Sequence, residues 1–252
     1  MATKDLEYVM GLEKGLAIME AFGDSKSPLT LTQAAEITGH SKASVRRSLL
    51  TLCKLGYANQ IGRQFQLAPR ALRLGHAYVL SEPITKVAQP ILDITSERTH
   101  ESASIAVLDL QDAVFVARSA HRRTLSSGLA VGARWPAYCT ATGRVLLSGL
   151  PNARIEFILN RMSRPAFTPH TRTGVRDVLR EIQFVRSQGY SINDQELELG
   201  LRSIAVPIRN SRGELLAAMS LSVAISRMTV EQIIETLLPE LEAARRSFAA
   251  LL

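Results

Sequence analysis

The chain has 252 residues, with 30 Lys and Arg against 23 Asp and Glu, a formal net charge of +7 and a sequence pI near 9.8. That length has room for one small and one medium domain, each burying its own core, and the charge suits a nucleic-acid partner without requiring one. Two cysteines are too few for a disulfide framework, no apolar run approaches the ~20 residues that span a bilayer, and Met1-Ala2-Thr3-Lys4-Asp5 lacks the apolar core of a secretory signal, so a soluble cytoplasmic protein is expected.

The basic excess is denser at the start: residues 1–80 carry ten Lys/Arg against six Asp/Glu, and residues 81–252 carry twenty against seventeen. Leu12, Leu16, Met19 and Phe22 recur at helical spacing and predict a first helix over Met10 to Phe22, packed beneath the elements that follow. Thr30-Leu31-Thr32-Gln33 is a capping box; it predicts a short helix with Ala34, Ala35 and Ile37 on its buried side, stopped at Gly39. Ser41 caps a second helix, Lys42 to about Leu55, with Val45, Leu49 and Leu52 on its apolar face. Lys42, Ser44, Arg46 and Arg47 mark the other face near its start, and Gly56 ends it. Tyr57 to Gln60 and Gln64 to Leu67 suit a two-stranded hairpin around Ile61-Gly62-Arg63, with Arg63 at the tip.

Residues 30–67 therefore read as a winged helix-turn-helix, and the placement of charge carries the functional inference. The second helix of that motif enters the major groove with its first turns toward the base edges. Arginine there donates two hydrogen bonds to guanine, serine and lysine reach bases or phosphates, and a basic hairpin tip reaches the flanking backbone or the minor groove. An isolated Arg-Arg pair would usually just solvate a helix face. Placed after a glycine turn between two short helices and before a basic-tipped hairpin, it predicts DNA binding through Ser41, Lys42, Ser44, Arg46, Arg47 and Arg63.

Pro69 opens an apolar helix that includes Leu72, Leu74, Ala77, Val79 and Leu80 and is interrupted by Pro83. Such a helix between two domains has little to bury against, so a second copy of the chain is the expected partner; packing onto a flanking domain is the alternative. The predicted organisation is a DNA-binding domain over residues 1–68, a linker and dimerisation helix over 69–82, and a second domain over 83–252.

In that second domain, Ile84 to Arg98 predicts a helix with Val87, Ile91, Leu92 and Ile94 on one side. Ser104 to Leu108 and Ala113 to Ala117 predict strands joined by Leu110-Gln111-Asp112, followed by a loop holding Arg118, Arg122, Arg123 and Arg134. Helices are predicted over Thr140 to Leu150, Ala153 to Met162 and Gly174 to Gln188. Strands over Ile204 to Arg209 and Leu215 to Val223 flank the turn Asn210-Ser211-Arg212-Gly213, with Pro207 at an edge or bulge. A second capping box, Thr229 with Gln232, opens a final helix through Ile233, Leu237, Leu241, Ala244 and Phe248, kinked at Pro239. Hairpin-paired strands with helices around them give an α+β class with an antiparallel sheet.

The strand Leu216 to Val223 alternates: Ala217, Met219, Leu221 and Val223 form a core face, and Ala218, Ser220 and Ser222 face the other way. A sheet face of alanine and serine is either bare or leaves room for a polar guest. Pro136 to Arg144 adds small residues and hydroxyls at a predicted helix N-terminus, whose free N–H groups favour a carboxylate. Thr140 as a plain N-cap is the simpler reading of that segment; the two features together argue for a small anionic effector. Cys139 with His100, His121 or His170 forms no local motif for thiol catalysis, and the Cys and His spacing matches no zinc site, so no catalytic residue, metal or cofactor is expected. A DNA binder without a ligand is the other reading, and it leaves the residues after the linker without a role.

From Leu12 to its C-terminus the chain resembles the isocitrate-lyase-regulator (IclR) family of bacterial transcription factors. The resemblance rests on Leu12 to Leu16, Ser41 to Arg47, Pro136 to Leu147, and above all on Gly189-Tyr190-Ser191-Ile192-Asn193-Asp194-Gln195-Glu196 running into Gly200 to Pro207. Within the family it looks most like regulators of aromatic-acid breakdown through the β-ketoadipate pathway (the PcaR, PcaU and PobR type), on Ala117 to Ser119, Gly128 to Gly132 and Pro136 to Cys139. The resemblance implies a winged helix-turn-helix, a linker helix used in dimerisation and a GAF-like effector-binding domain, with dimers or dimers of dimers on palindromic promoter sites. It implies a small carboxylate effector from protocatechuate, 4-hydroxybenzoate or β-ketoadipate metabolism, another carbon-source pathway being the alternative. The family's pocket positions fall on Thr124, Ala141, Thr142, Asn193, Leu201, Ser203, Ser220 and Ser222, with Asp194 adjacent, and Arg134 is a candidate to pair the carboxylate. Asn193 stands where an acidic residue often occurs.

Overall fold

A computed structural model describes residues 7–25, 28–120 and 130–252. They fall into two compact units, Met1–Tyr78 and Val79–Leu252.

The first unit opens with α1, Met10–Asp24. Only its second half is covered: Ile18, Ala21 and Phe22 are buried, whereas Leu12 and Leu16 are exposed and Met19 is half-buried. The expected stripe is thus corrected to Ile18-Ala21-Phe22, because the following helix pair reaches only that half. A short strand β1, Leu29–Thr30, leads into α2, Leu31–Thr38. The capping box forms, Thr30 N donating to Gln33 Oε1 at 2.9 Å and Gln33 N to Thr30 Oγ1 at 3.3 Å. Gly39 ends the helix at φ +68°, a conformation that costs a side-chain-bearing residue about 1 kcal/mol or more. Ala34 and Ala35 are buried, but Ile37 is exposed, one position round from the covered face.

In α3, Lys42–Lys54, Ser41 caps the first turn, and Val45, Leu49 and Leu52 join Leu29, Ala58 and Phe65 in one core. β2, Ala58–Ile61, and β3, Gln64–Leu67, form the hairpin, and β1 pairs with β3 to give three strands rather than two. A turn at Pro69–Ala71 precedes α4, Leu72–Ser81, which buries none of its residues; Leu72 is 76% and Leu80 56% exposed.

In the second unit, α5, Pro83–Thr99, buries Ile84, Ala88, Ile91 and Leu92 but leaves Ile94 exposed, on the side away from the sheet. The strands are β4, Ser102–Asp109; β5, Asp112–Ser119; β6, Arg134–Pro136; β7, Ser191–Asp194; β8, Leu201–Arg209; and β9, Leu215–Ala224. They make one antiparallel sheet in the order β6-β5-β4-β9-β8-β7. Arg118 and Arg134 therefore lie in strands, not in a loop; Arg122 and Arg123 lie outside the described residues. The hairpin connection between β4 and β5 is Leu110-Gln111, with Asp112 already in the strand. Pro207 sits beyond the reach of β7, which pairs only with Arg202 to Ala205, and next to the register shift at Ile208/Arg209.

One sheet face packs on α5 and on α9, Val230–Ala249, through Ile105, Met219, Leu221, Val223, Leu237, Leu241 and Phe248. Against the other face lies α6, Ala141–Ser148, in a smaller cluster with Ala106, Phe115, Ala205 and Ala218. α7, Asn152–Arg161, and α8, Val175–Gln188, share a third cluster with the turn at Ala137–Cys139. α6 approaches that turn so closely that a Cβ on Gly143 would stand 2.3 Å from the Ala137 backbone, which only glycine permits.

Candidate functional site

In the first unit Ser41, Lys42, Arg46, Arg47 and Arg63 are all exposed. Ser44 is not: it is 8% exposed, at the wall of the trough between α3 and α1, so little of it is open to a base. Arg46 and Arg63 border one groove of about 470 Å³ together with Thr30, Thr32 and Gln60. Arg47 borders the opposite flank of α3, a wide trough of about 610 Å³ shared with Lys14 and the uncovered Leu12, Leu16 and Leu55. The recognition helix thus carries an arginine on each side of its outward face.

None of Lys42, Arg46, Arg47 or Arg63 is held in an ion pair among the described residues, whereas in the second unit arginines are neutralised repeatedly. Arg98 meets Glu240 at 2.9 Å, Arg134 meets Asp109 at 2.7 Å, Arg202 meets Asp194 at 2.7 Å and Arg227 meets Glu101 at 2.6 Å. Cations without an ion pair on one helix and the adjoining wing have the chemistry to neutralise phosphates and to donate to base edges.

In the second unit the small-residue face of β9 closes over a cavity of about 30 Å³. Ala141 and Thr142 line it from the start of α6, Asn193 from β7, Leu201 and Ser203 from β8, and Ser220 and Ser222 from β9, joined by Phe115, Thr140, Leu197 and Glu198. Seven of the expected effector positions therefore converge. Thr124 lies outside the described residues. Two others point elsewhere. Arg134 is engaged by Asp109 and Asp112 at the end of the β4–β5 hairpin. Asp194 alternates with Asn193 onto the opposite sheet face, where the Arg202 guanidinium holds its carboxyl below the usual range.

Cross-strand register explains the convergence. Asn193, Ser203, Ser222 and Ser102 stand in one row across β7, β8, β9 and β4; Ser191, Ala205, Ser220 and Ser104 stand in the next. Ser102 and Ser104, each 2% exposed, extend the hydroxyl face and were not expected there, although the Ser102-Ala103-Ser104-Ile105 alternation contains the signal. Asn193 is already occupied: its Nδ2 donates to Cys139 O at 2.6 Å and its Oδ1 accepts from Glu196 N at 3.2 Å. Thr140 does cap α6, accepting from Gly143 N at 3.0 Å. The first-turn amides of Ala141 and Thr142 keep the donor character of any helix start.

Behind the cavity an ion pair joins its two walls. Arg144 on α6 and Glu196, in the connection between β7 and β8, are both fully buried, and the guanidinium meets the carboxylate through paired bonds of 2.7 and 2.6 Å. Arg144 Nε also donates to Tyr138 O at 3.1 Å, and Arg172 bonds the same carboxylate from the segment before α8. The pair spans 52 residues of sequence and has no local signal. Cys139 packs beside it with no exposure, and burial pushes its thiol up to about 12, which removes the thiolate a nucleophile needs. No group of His, Cys, Asp and Glu among the described residues is arranged to hold a metal, and no described helix is long and apolar enough to cross a membrane.

Two family models match the chain: the IclR helix-turn-helix domain over residues 11–62, and the bacterial transcriptional regulator IclR C-terminal domain over residues 76–250. The Pca regulon regulatory protein of Pseudomonas putida is 43% identical over 245 residues, spanning 97% of this chain and 84% of that protein. The crystal structure of a transcriptional regulator from Rhodococcus sp. RHA1 is 38% identical with a TM-score of 0.84, covering 97% of this chain and 98% of the other. The inducer-binding domain of the Acinetobacter transcription factor PobR, as a double mutant in complex with 3-hydroxybenzoic acid, is 34% identical with a TM-score of 0.62, covering 66% of this chain and 98% of that one.

Proposed function

The chain belongs to the IclR family of bacterial transcriptional regulators, and we propose that it is a cytoplasmic regulator whose operator binding responds to a small aromatic carboxylate of the protocatechuate and 4-hydroxybenzoate kind. The DNA-binding role falls to Lys42, Arg46 and Arg47 on α3, with Ser41 at its cap and Arg63 on the wing. The effector role falls to the cavity lined by Ala141, Thr142, Asn193, Leu201, Ser203, Ser220 and Ser222. The domains are assigned as 1–68, 69–82 and 83–252, and a second copy of the chain covers the apolar side chains that α4 leaves exposed, giving a dimer or a dimer of dimers on a palindromic operator.

The observation that carries the reading is the alignment of buried serines and Asn193 in register across four strands, opposite the start of α6. A core built only for stability would fill those rows with aliphatic side chains, since a buried hydroxyl costs free energy unless it is bonded. Hydroxyls facing a helix N-terminus suit a ring that carries both a carboxylate and phenolic groups. The names of the relatives point to the same class of compound.

The test is binding of labelled promoter DNA from the chain's own upstream region, with and without 4-hydroxybenzoate, protocatechuate and β-ketoadipate, at moderate ionic strength. One acid is expected to change operator affinity or the footprint. If none changes either, the effector reading fails; if promoter DNA binds no better than random DNA, the regulator reading fails with it.

A further inference from the structure

The DNA-binding unit passes into the linker helix through a single short turn. Ala68 N donates to Tyr57 O at 2.8 Å, which ties the end of the wing to the segment after α3. Pro69–Ala71 form the turn, and α4 starts at Leu72. Proline fixes φ at the head of that turn and leaves the backbone little freedom there. α4 buries none of its own residues, so little packing within the chain sets its direction.

Arg70, inside the turn, reaches back to the recognition helix. Its Nη1 donates to Leu55 O at 3.0 Å, across 15 residues of sequence. Leu55 is the C-cap of α3, and the last carbonyls of a helix lack intrahelical donors and carry the negative end of its dipole. The guanidinium carbon stands 5.5 Å from the centre of the Tyr57 ring, within cation–π range. Gly56, at φ +78°, lies between those two partners, and a Cβ there would meet Arg70 Nη1 at 3.5 Å and Cδ at 3.6 Å. Bonded at one edge and stacked on one face, the planar guanidinium is fixed in direction as well as in place. A helix-end arginine is commonly just a cap. This one differs in where it comes from: it stands at the head of the helix that leaves the DNA-binding unit, so the cap also joins α4 to α3.

We propose that Arg70 is a positioning residue for operator recognition. It clasps the head of the linker helix to the C-terminus of α3, so that the direction of α4 fixes where each recognition helix meets the duplex. The assignment rests on the reading above in which α4 pairs two copies of the chain on a palindromic site. In such a dimer the distance between half-sites is a geometric property of the protein, and Arg70 is what transmits it from linker to recognition helix.

The experiment is an anisotropy titration of the full chain on three DNAs from its own upstream region: the footprinted operator, that operator with one base pair inserted between its half-sites, and a single half-site. The proteins are the unmodified chain, Arg70→Met and Arg70→Lys. One inserted pair turns the second half-site by about a tenth of a helical turn. The unmodified chain is expected to prefer the native spacing, and a helix-end charge together with a cation–π contact accounts for about tenfold of that preference. Arg70→Met is expected to lose that factor, with half-site affinity and its salt dependence unchanged, and Arg70→Lys to recover part of it. An unchanged spacing preference in Arg70→Met overturns the proposal. A weaker half-site whose salt slope falls by about one would make Arg70 a phosphate contact instead, and equal loss on all three DNAs with a lowered melting temperature would make it a support of α3 alone; either result also overturns it. If the unmodified chain does not distinguish the two spacings, the paired-linker reading itself falls and takes this assignment with it.

Discussion

Replacing Arg144 by methionine tests whether the two walls of the cavity are held by charge. The substitution keeps most of the side-chain volume, so little empty space is created, but it removes both bonds to Glu196 and the bond from Nε to Tyr138 O. Glu196 would then keep a carboxylate with no solvent exposure. Removing one partner of a buried pair costs about 3–5 kcal/mol, because the remaining charge is stranded. Here Arg172, 44% exposed, still reaches Glu196, so the lower end applies, about 3 kcal/mol. Against a typical stability of about 5–15 kcal/mol that is a large share. With a urea dependence of roughly 2 kcal/mol per molar, the unfolding midpoint falls by about 1.5 M. Trp135, the sole tryptophan, lies in the same unit and reports the transition by fluorescence. Arg144→Met combined with Glu196→Leu removes both charges and is expected to be more stable than Arg144→Met alone. A loss below about 1 kcal/mol in the single variant, or a double variant worse than the sum of its parts, would refute the claim that this pair fastens α6 to the β7–β8 connection.

Three further outcomes are expected. Arg47→Ala should weaken operator binding by about 1–3 kcal/mol while random DNA is bound nearly as before; anisotropy titrations against both DNAs check this, and unchanged discrimination would remove Arg47 from the base-reading set. Ser220→Leu should fill the cavity and abolish the thermal shift produced by aromatic acids, at an overpacking cost of roughly 1–3 kcal/mol; a preserved shift would move the ligand site elsewhere. Glu101 is buried and its carboxyl is pushed up to about 7 by that burial, which Arg227 only partly offsets. A raised acid binds its proton more tightly folded than unfolded, so stability falls as pH rises from the ordinary carboxylate range through about 7. Glu101→Gln should lose that decline, read as melting temperatures at pH 5 and pH 8; equal slopes in both proteins would contradict it.

Much of the fold is local enough to read from sequence. Thr30, Ser41 and Thr229 each announce a helix by a cap that the structure contains, and the alternation of β9 separates its two faces before any partner is known. What resisted reading depends on neighbours distant in the chain. Leu12 and Ile18 belong equally to an amphipathic pattern, and only the reach of α2 and α3 decides which is covered; Ile37 and Ile94 fail for the same reason. β1, β6 and β7 are two, three and four residues long, too short to show a period, and exist because a longer strand lies beside them. Arg134 looked available because its acidic partners are 22 and 25 residues earlier, in a hairpin whose end it happens to meet. The bulge where Val116 meets no residue of β4 has no signature in β5 alone, since it is defined by which residue of β4 lies opposite.

The size of the cavity sets how a ligand can act. About 30 Å³ holds a water or two, whereas small-molecule sites usually enclose ~300–1,000 Å³. A ring acid does not fit that space, so the aromatic-acid reading requires an opened state in which the start of α6, the β7–β8 connection and the sheet move apart. A ligand that binds only the opened state shifts the population toward it in proportion to that differential affinity, which is the requirement for a change at the effector unit to be transmitted at all. Trp135 packs in the same cluster as Phe115 and Ala141, so stopped-flow fluorescence follows the event. If opening precedes binding, the observed rate approaches a ceiling as 4-hydroxybenzoate is raised, and Arg144→Met, by loosening one wall, lifts that ceiling. A rate that climbs linearly with concentration in both proteins would mean that the closed cavity is no barrier, and the ion pair behind it would then have no part in gating the response.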